Sequence, residues 1–124
     1  MTRWLVDGMN VVGSTPDGWW RDRPGAMARL VRRLAELQSQ SGEPVAVVFD
    51  GRAFELPAGA VDVAFAPTRG RDAADDEIVR RLAADADPSG LTVVTSDREL
   101  SDRVRRHGAE VMTAGAFLRR LDAL

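Results

Sequence analysis

The chain has no cysteine, no lysine and no tyrosine, and a single histidine, His107. Each absence removes a class of chemistry. Without cysteine there is no disulfide, no thiol nucleophile and no Cys-ligated zinc or iron–sulfur centre. Without lysine there is neither a Walker-type phosphate loop nor a Schiff base. One histidine excludes HExxH zinc sites, and any Ser-His-Asp triad has to use His107. All 17 cationic side chains are arginine, a bias that a GC-rich genome is enough to explain. Long apolar runs are missing too. The longest, Val45 to Phe49, is far short of a membrane span, and Trp4-Leu5-Val6 is too short for the apolar stretch of a signal peptide. The expectation is a cytoplasmic protein with no membrane partner.

What remains in quantity is carboxylate. Of 19 acidic residues 13 are Asp, so any chemistry falls to carboxylates or to a metal they hold. The 124 residues, 44% hydrophobic and 29% charged, suit one globular domain spanning 1–124. The net charge of −2 argues at first sight against a polyanionic partner.

Short β-branched runs alternate with helical patterns, as in a parallel α/β sheet. Trp4-Leu5-Val6 reads as a first strand. Met27, Leu30, Val31, Leu34 and Leu37 share one helix face, with Arg29, Arg33 and Glu36 outward, Pro24 in the first turn and Gly42 as the stop. Val45–Phe49 is apolar throughout and reads as a central strand, whereas Val61, Val63 and Phe65 alternate with Asp62 and Ala64 as at an edge. A helix over 72–84, a doubly apolar strand over 91–94 and a helix carrying Leu100 and Val104 and ending at Gly108 follow. Ser96-Asp97-Arg98-Glu99 has the form of a capping box opening that helix. Val111-Met112 is a short fifth strand, and Phe117, Leu118 and Leu121 anchor a closing helix. The fold class is α/β with five strands.

Three strands run straight into acids: the first into Asp7, the second into Asp50, the fourth into Thr95-Ser96-Asp97. In a parallel sheet those strand ends open onto one crevice, where such folds bind ligands. A lone Asp after a strand is ordinarily a helix cap; three together point to a site. In Asp72-Ala73-Ala74-Asp75-Asp76-Glu77, Asp72 suits an N-cap, while Asp75 shares the inward face of Ile78 and Val79. Asp76 lies a step around, nearer Arg80. Converging carboxylates raise one another's pKa, and a divalent cation relieves them. Oxygen-only ligation suits Mg²⁺ or Mn²⁺, which implies phosphodiester hydrolysis. Asn10, in Asp7-Gly8-Met9-Asn10, is either a turn residue or an orienting group for Asp7, and Gly8 lets the backbone pass close to the site.

Leu5-Val6-Asp7-Gly8-Met9-Asn10, Val47-Val48-Phe49-Asp50, Ala74-Asp75 and Val93-Val94-Thr95-Ser96-Asp97, in that order, resemble the YacP-like branch of the NYN ribonucleases within the PIN-like nuclease superfamily. The resemblance spans essentially the whole chain. It implies a three-layer α/β/α sandwich on a mostly parallel five-stranded sheet, and metal-dependent endoribonuclease activity. By that likeness Asp7, Asp75 and Asp97 are metal-site acids with Asn10 and Asp50 beside them; Asp76 is a further candidate ligand. Two departures stand out. Met9 occupies a position that is often aromatic, and the sequence ends at Leu124 without the basic extension of many relatives, on which ribosome association, reported for part of the family, is expected to depend. Homodimerisation stays open.

Substrate contact needs cations around the crevice. Arg52 follows Asp50, Arg69 and Arg71 precede the acidic helix, and Arg98 follows Asp97, all placed to clamp RNA phosphates. Trp19-Trp20, with Arg21 and Arg23, either stack unpaired bases or form a lid on the core. Arg105-Arg106 and Arg119-Arg120 read as solvated helix faces, and His107 as a helix C-terminal residue. A haloacid-dehalogenase-type phosphatase is disfavoured, because its second Asp falls where Met9 stands. Other readings are a nuclease acting on DNA, a toxin of a toxin–antitoxin pair, and a non-catalytic RNA- or protein-binding module. With four acids held at one metal site, the rest of the chain is net positive, and its mild acidity is only weak evidence against RNA.

Overall fold

The computed structural model describes residues 1–67, 70 and 72–124. Five strands form one sheet: β1 (Arg3–Asp7), β2 (Val45–Phe49), β3 (Asp62–Phe65), β4 (Leu91–Val94) and β5 (Glu110–Met112). Their order across the sheet is β3-β2-β1-β4-β5, and every ladder is parallel. The sheet is thus entirely rather than mostly parallel, with β1 central and β3 at an edge.

Helices cover both faces. On one side lie α1 (Gly8–Gly13), α2 (Arg23–Ser41) and α5 (Ala114–Asp122); on the other lie α3 (Ala73–Ala84) and α4 (Arg98–Arg106). The strands supply both cores by alternation. Trp4, Val6, Val47 and Phe49 pack with Met27, Leu34 and Phe117, while Leu5, Val48 and Val93 pack with Ile78, Leu82, Leu100 and Val104. No helix joins β2 to β3; Leu56 and Ala58 of that crossover pack onto the α2 side instead.

Local chemistry fixes the ends of α2. The Asp22 carboxylate accepts from the Gly25 amide at 3.1 Å, Pro24 sits in the first turn, and Gly42 closes the helix at φ +73°, a conformation costly for any residue with a Cβ. The six-residue α1 has no side-chain cap; it is held by Val11 and Val12, buried against the core. Sequence periodicity gave no sign of it. At α4 the cap is Asp97, whose Oδ1 accepts from Leu100 N at 2.8 Å, and not the Ser96 of a capping box. Ser96 lies one residue too early: its hydroxyl accepts instead from Ala114 N at 2.9 Å, at the start of α5. None of the described helices is long and apolar enough to cross a membrane.

Candidate active site

The same alternation that builds the second core aims the acids. Two residues past Leu5 and Val93 stand Asp7 and Thr95, so both belong to the α3–α4 side of the sheet, while Asp50, one residue past the end of β2, reaches α2 through Arg23. Val6 pairs with Val94, which brings Asp7 level with Thr95. The chain turns one way out of β1 and the other way out of β4, so their carboxyl ends flank the point where the winding of the sheet reverses. That is where open α/β sheets take ligands.

Here a cleft of about 530 Å³ is lined by Asp7, Met9, Asn10, Asp50, Asp72, Ala74, Asp75, Asp97 and Glu99. Among the described residues that line it, six are acidic and none is basic. Asp7 is only 6% exposed. Its Oδ2 accepts from the Thr95 hydroxyl at 2.8 Å, and the Thr95 oxygen accepts in turn from Asp97 N at 3.1 Å. Thr95 is fully buried, and Asn10 ties the same two loops together, its Oδ1 accepting from Ser96 N at 2.8 Å. Asn10 therefore positions the β4–α4 loop. Thr95 is the site residue that sequence reasoning passed over; its only signal was its place directly after an apolar strand and before Asp97.

Burial pushes the Asp7 carboxyl up to about 6. The Thr95 hydrogen bond opposes that rise, and the charges of Asp75, Asp97 and Asp50 add to it. Asp75 is also pushed up to about 6, first by burial and then by Asp97 and Asp72, with the Arg103 guanidinium pulling the other way. Two acids in one cleft that hold their protons this far above the usual range form a pair that ionises at a cost.

The remaining expected residues divide. Asp50 is 41% exposed and ion-paired with Arg23, whose Nη2 also donates to the Asp50 carbonyl at 3.2 Å. Asp76, 65% exposed, is held by Arg103 at 3.1 Å and does not line the cleft. Its neighbour by sequence, Arg80, pairs with Glu77 instead. Arg52 lines a second pocket that shares Asp50 with the cleft, and Arg98 lines neither. Arg69 and Arg71 lie outside the described residues. Among the described residues, no three His, Asp or Glu side chains are grouped closely enough to form a ready-made metal-ligand set.

Residues 4–124 match the YacP-like NYN domain. The chain belongs to that family. Two crystal structures of Rae1 (YacP) from Bacillus subtilis superpose on it with a TM-score of 0.83. One is a Trp-to-Leu mutant, 29% identical, with 99% of this chain and 76% of that one covered. The other is 28% identical, with 99% and 75% covered. No curated protein gives a match. Membership of the YacP-like NYN domains supports a nuclease-type function related to RNA, and the solved relatives bear out the α/β sandwich.

In this YacP-like NYN domain the two tryptophans part company. Both sit on a single 3₁₀ turn, Trp19–Arg21, with rings 6.1 Å apart and edge-on. Trp19 packs against the core, which is the lid, while Trp20 is 61% exposed with the Arg21 guanidinium 5.7 Å over its ring. His107 caps the end of α4, its Nδ1 3.0 Å from the Arg103 carbonyl oxygen and away from the cleft.

Proposed function

We propose that the protein is a Mg²⁺- or Mn²⁺-dependent endoribonuclease that hydrolyses phosphodiester bonds in single-stranded or loop RNA. The observation that carries this reading is the convergence of Asp7, Asp75 and Asp97 on one acidic cleft at the reversal point of the sheet, in a chain of the YacP-like NYN family.

The donor set fits such an ion. It is all oxygen, and Mg²⁺ keeps several waters while taking only one or two carboxylates plus substrate phosphate, so a closed three-ligand cage is not required. Asp7, Asp75 and Asp97 are its candidate ligands, of which one or two would bind it directly. When bound, the cation supplies positive charge at the scissile phosphate and lowers the pKa of attacking water. Asp7 gives one oxygen to Thr95 and Asp97 one to the α4 cap, which leaves each an oxygen for this work. Thr95 and Asn10 fix the spacing of the β1 and β4 loops, so the acids are placed before substrate arrives. Asp50, held by Arg23, closes one side of the cleft. Arg52 would meet phosphate beyond it, and exposed Trp20 would stack a base; Arg52 lining the adjoining pocket and the exposure of Trp20 support this. Cytoplasmic location is part of the same proposal.

The test is cleavage of single-stranded RNA by folded Asp7→Asn and Asp97→Asn proteins. Loss of cleavage in both supports the assignment, and wild-type cleavage in either overturns it. Equal cleavage of single-stranded DNA would make the chain a general nuclease. RNA binding without cleavage under any divalent cation would make it a binding module.

A further inference from the structure

The acidic cleft has a difficulty that its described residues do not solve: six carboxylates, with no cation among the described lining residues, repel the polyanion they are to cut. The neighbouring pocket, about 960 Å³, is built of other chemistry. Arg23, Pro24, Met27, Gly51, Arg52, Ala53 and Phe54 line it, and Asp50 is the wall common to both. Its shape is set by the turn after β2. Gly51 sits at φ +88°, so the backbone requires glycine, and a Cβ there would also crowd Arg23 Nη2 at 3.2 Å. That turn sends Asp50 to Arg23 and puts Arg52 on the pocket wall. Both bonds from Arg23 to Asp50 are made through Nη2, which orients the guanidinium. Phe54 stands 38% exposed, its ring backed by Phe65 at 5.6 Å.

An aromatic face and two arginines in a pocket with ample room for a nucleotide, joined to the acidic cleft through one shared residue, match one occupant. We propose that this pocket seats the unpaired nucleotide next to the scissile phosphate of single-stranded RNA. Phe54 stacks on its base, and Arg52 and Arg23 take its phosphate. The inference rests on the nuclease reading above and adds to it a positional demand: one particular nucleotide beside the cut has to be unstacked and carry a base. Duplex RNA, whose bases are stacked and paired, does not meet it.

The experiment is an abasic walk. A labelled single-stranded RNA is cleaved with Mn²⁺, the cut is mapped, and a series is made with one abasic nucleotide at each successive position around it. Wild type should lose about tenfold in kcat/KM at one position beside the cut and little elsewhere. Phe54→Leu, which keeps apolar bulk against Phe65, should lose about tenfold on intact RNA and be insensitive to the abasic lesion at that position. Arg52→Ala should weaken every substrate alike while retaining the lesion sensitivity. The pocket is refuted if Phe54→Leu and wild type show the same abasic profile, or if both variants cleave intact RNA as wild type does. Binding of the same RNA, read by fluorescence anisotropy, separates this from failure of the nuclease reading. If wild type cleaves nothing but Phe54→Leu weakens binding, the hydrolase falls and with it the pocket's place beside a cut, while its seat for an RNA base stands; if cleavage and binding are both absent, both fall.

Discussion

The Thr95 hydroxyl donates to Asp7 Oδ2 at 2.8 Å, joining β4 to β1 where the winding of the sheet reverses. This buried bond favours the ionised form of Asp7 against the pull of desolvation. Thr95→Val keeps the shape and removes the donor, so the Asp7 pKa rises beyond its present value of about 6. Near neutral pH, Mn²⁺ affinity should then fall about 10- to 100-fold, with a pH–activity curve displaced to higher pH. Thr95→Ser should restore both. A Val variant with the wild-type profile would show that the bond is merely structural.

Asp7→Asn should stabilise the metal-free protein. The amide oxygen still accepts from Thr95, and the buried charge that desolvation and three neighbouring acids oppose is gone. The melting temperature in EDTA should rise by about 5 °C while cleavage disappears. A lower melting temperature would mean that Asp7 is there to hold the fold.

The pH dependence of stability has a definite sign. Between the usual carboxylate range and pH 6, folded Asp7 and Asp75 hold protons that the unfolded chain has released, so stability is greatest on the acid side and is lost as pH rises through this window. Glu77 acts oppositely. Hydrogen bonds from Arg80, and then from Arg81, hold it near 2, so its contribution is complete above about 4.5 and fades only toward pH 2. Urea unfolding in EDTA should therefore give a lower midpoint at pH 7.5 than at pH 5, and Mn²⁺ at pH 7.5 should recover the difference. A midpoint that climbs steadily from pH 5 to 7.5 in EDTA contradicts the burial of these charges.

Gly8→Ala should cost about 1–3 kcal/mol, because a Cβ there overlaps the fully buried Phe49 ring and comes within 3.0 Å of Val47 Cγ2. The overlap lies directly beside Asp7, so activity should fall with stability. Urea midpoints of wild type and variant measure the first effect. An unchanged midpoint shows that Phe49 yields without cost.

Much of this was legible in the chain, for identifiable reasons. β1, β2 and β4 are short and apolar and each runs into a polar residue at the rim, so period and punctuation disclosed Asp7, Asp50 and Asp97 together. The inward face of α3 disclosed Asp75 by its spacing from Ile78. What could not be read depends on contacts remote in sequence. Arg23 and Asp50 are 27 residues apart, as are Arg103 and Asp76, and no local pattern names such partners. α1 has glycine at both ends and no side-chain cap, so it forms through burial of Val11 and Val12. Ser96 and Asp97 are both good caps in adjacent positions, and only the path out of β4 decides between them.

The central claim is that Asp7 and Asp97 hold a divalent cation. It is tested most directly by Mn²⁺ binding followed by electron paramagnetic resonance at pH 7.5, on wild type, Asp7→Asn, Asp97→Asn and Asp122→Asn, the last an exposed acid on α5 paired with Arg33. The account predicts saturable binding in wild type and Asp122→Asn, and loss of that binding in both site variants. Equal Mn²⁺ binding in all four proteins would contradict it.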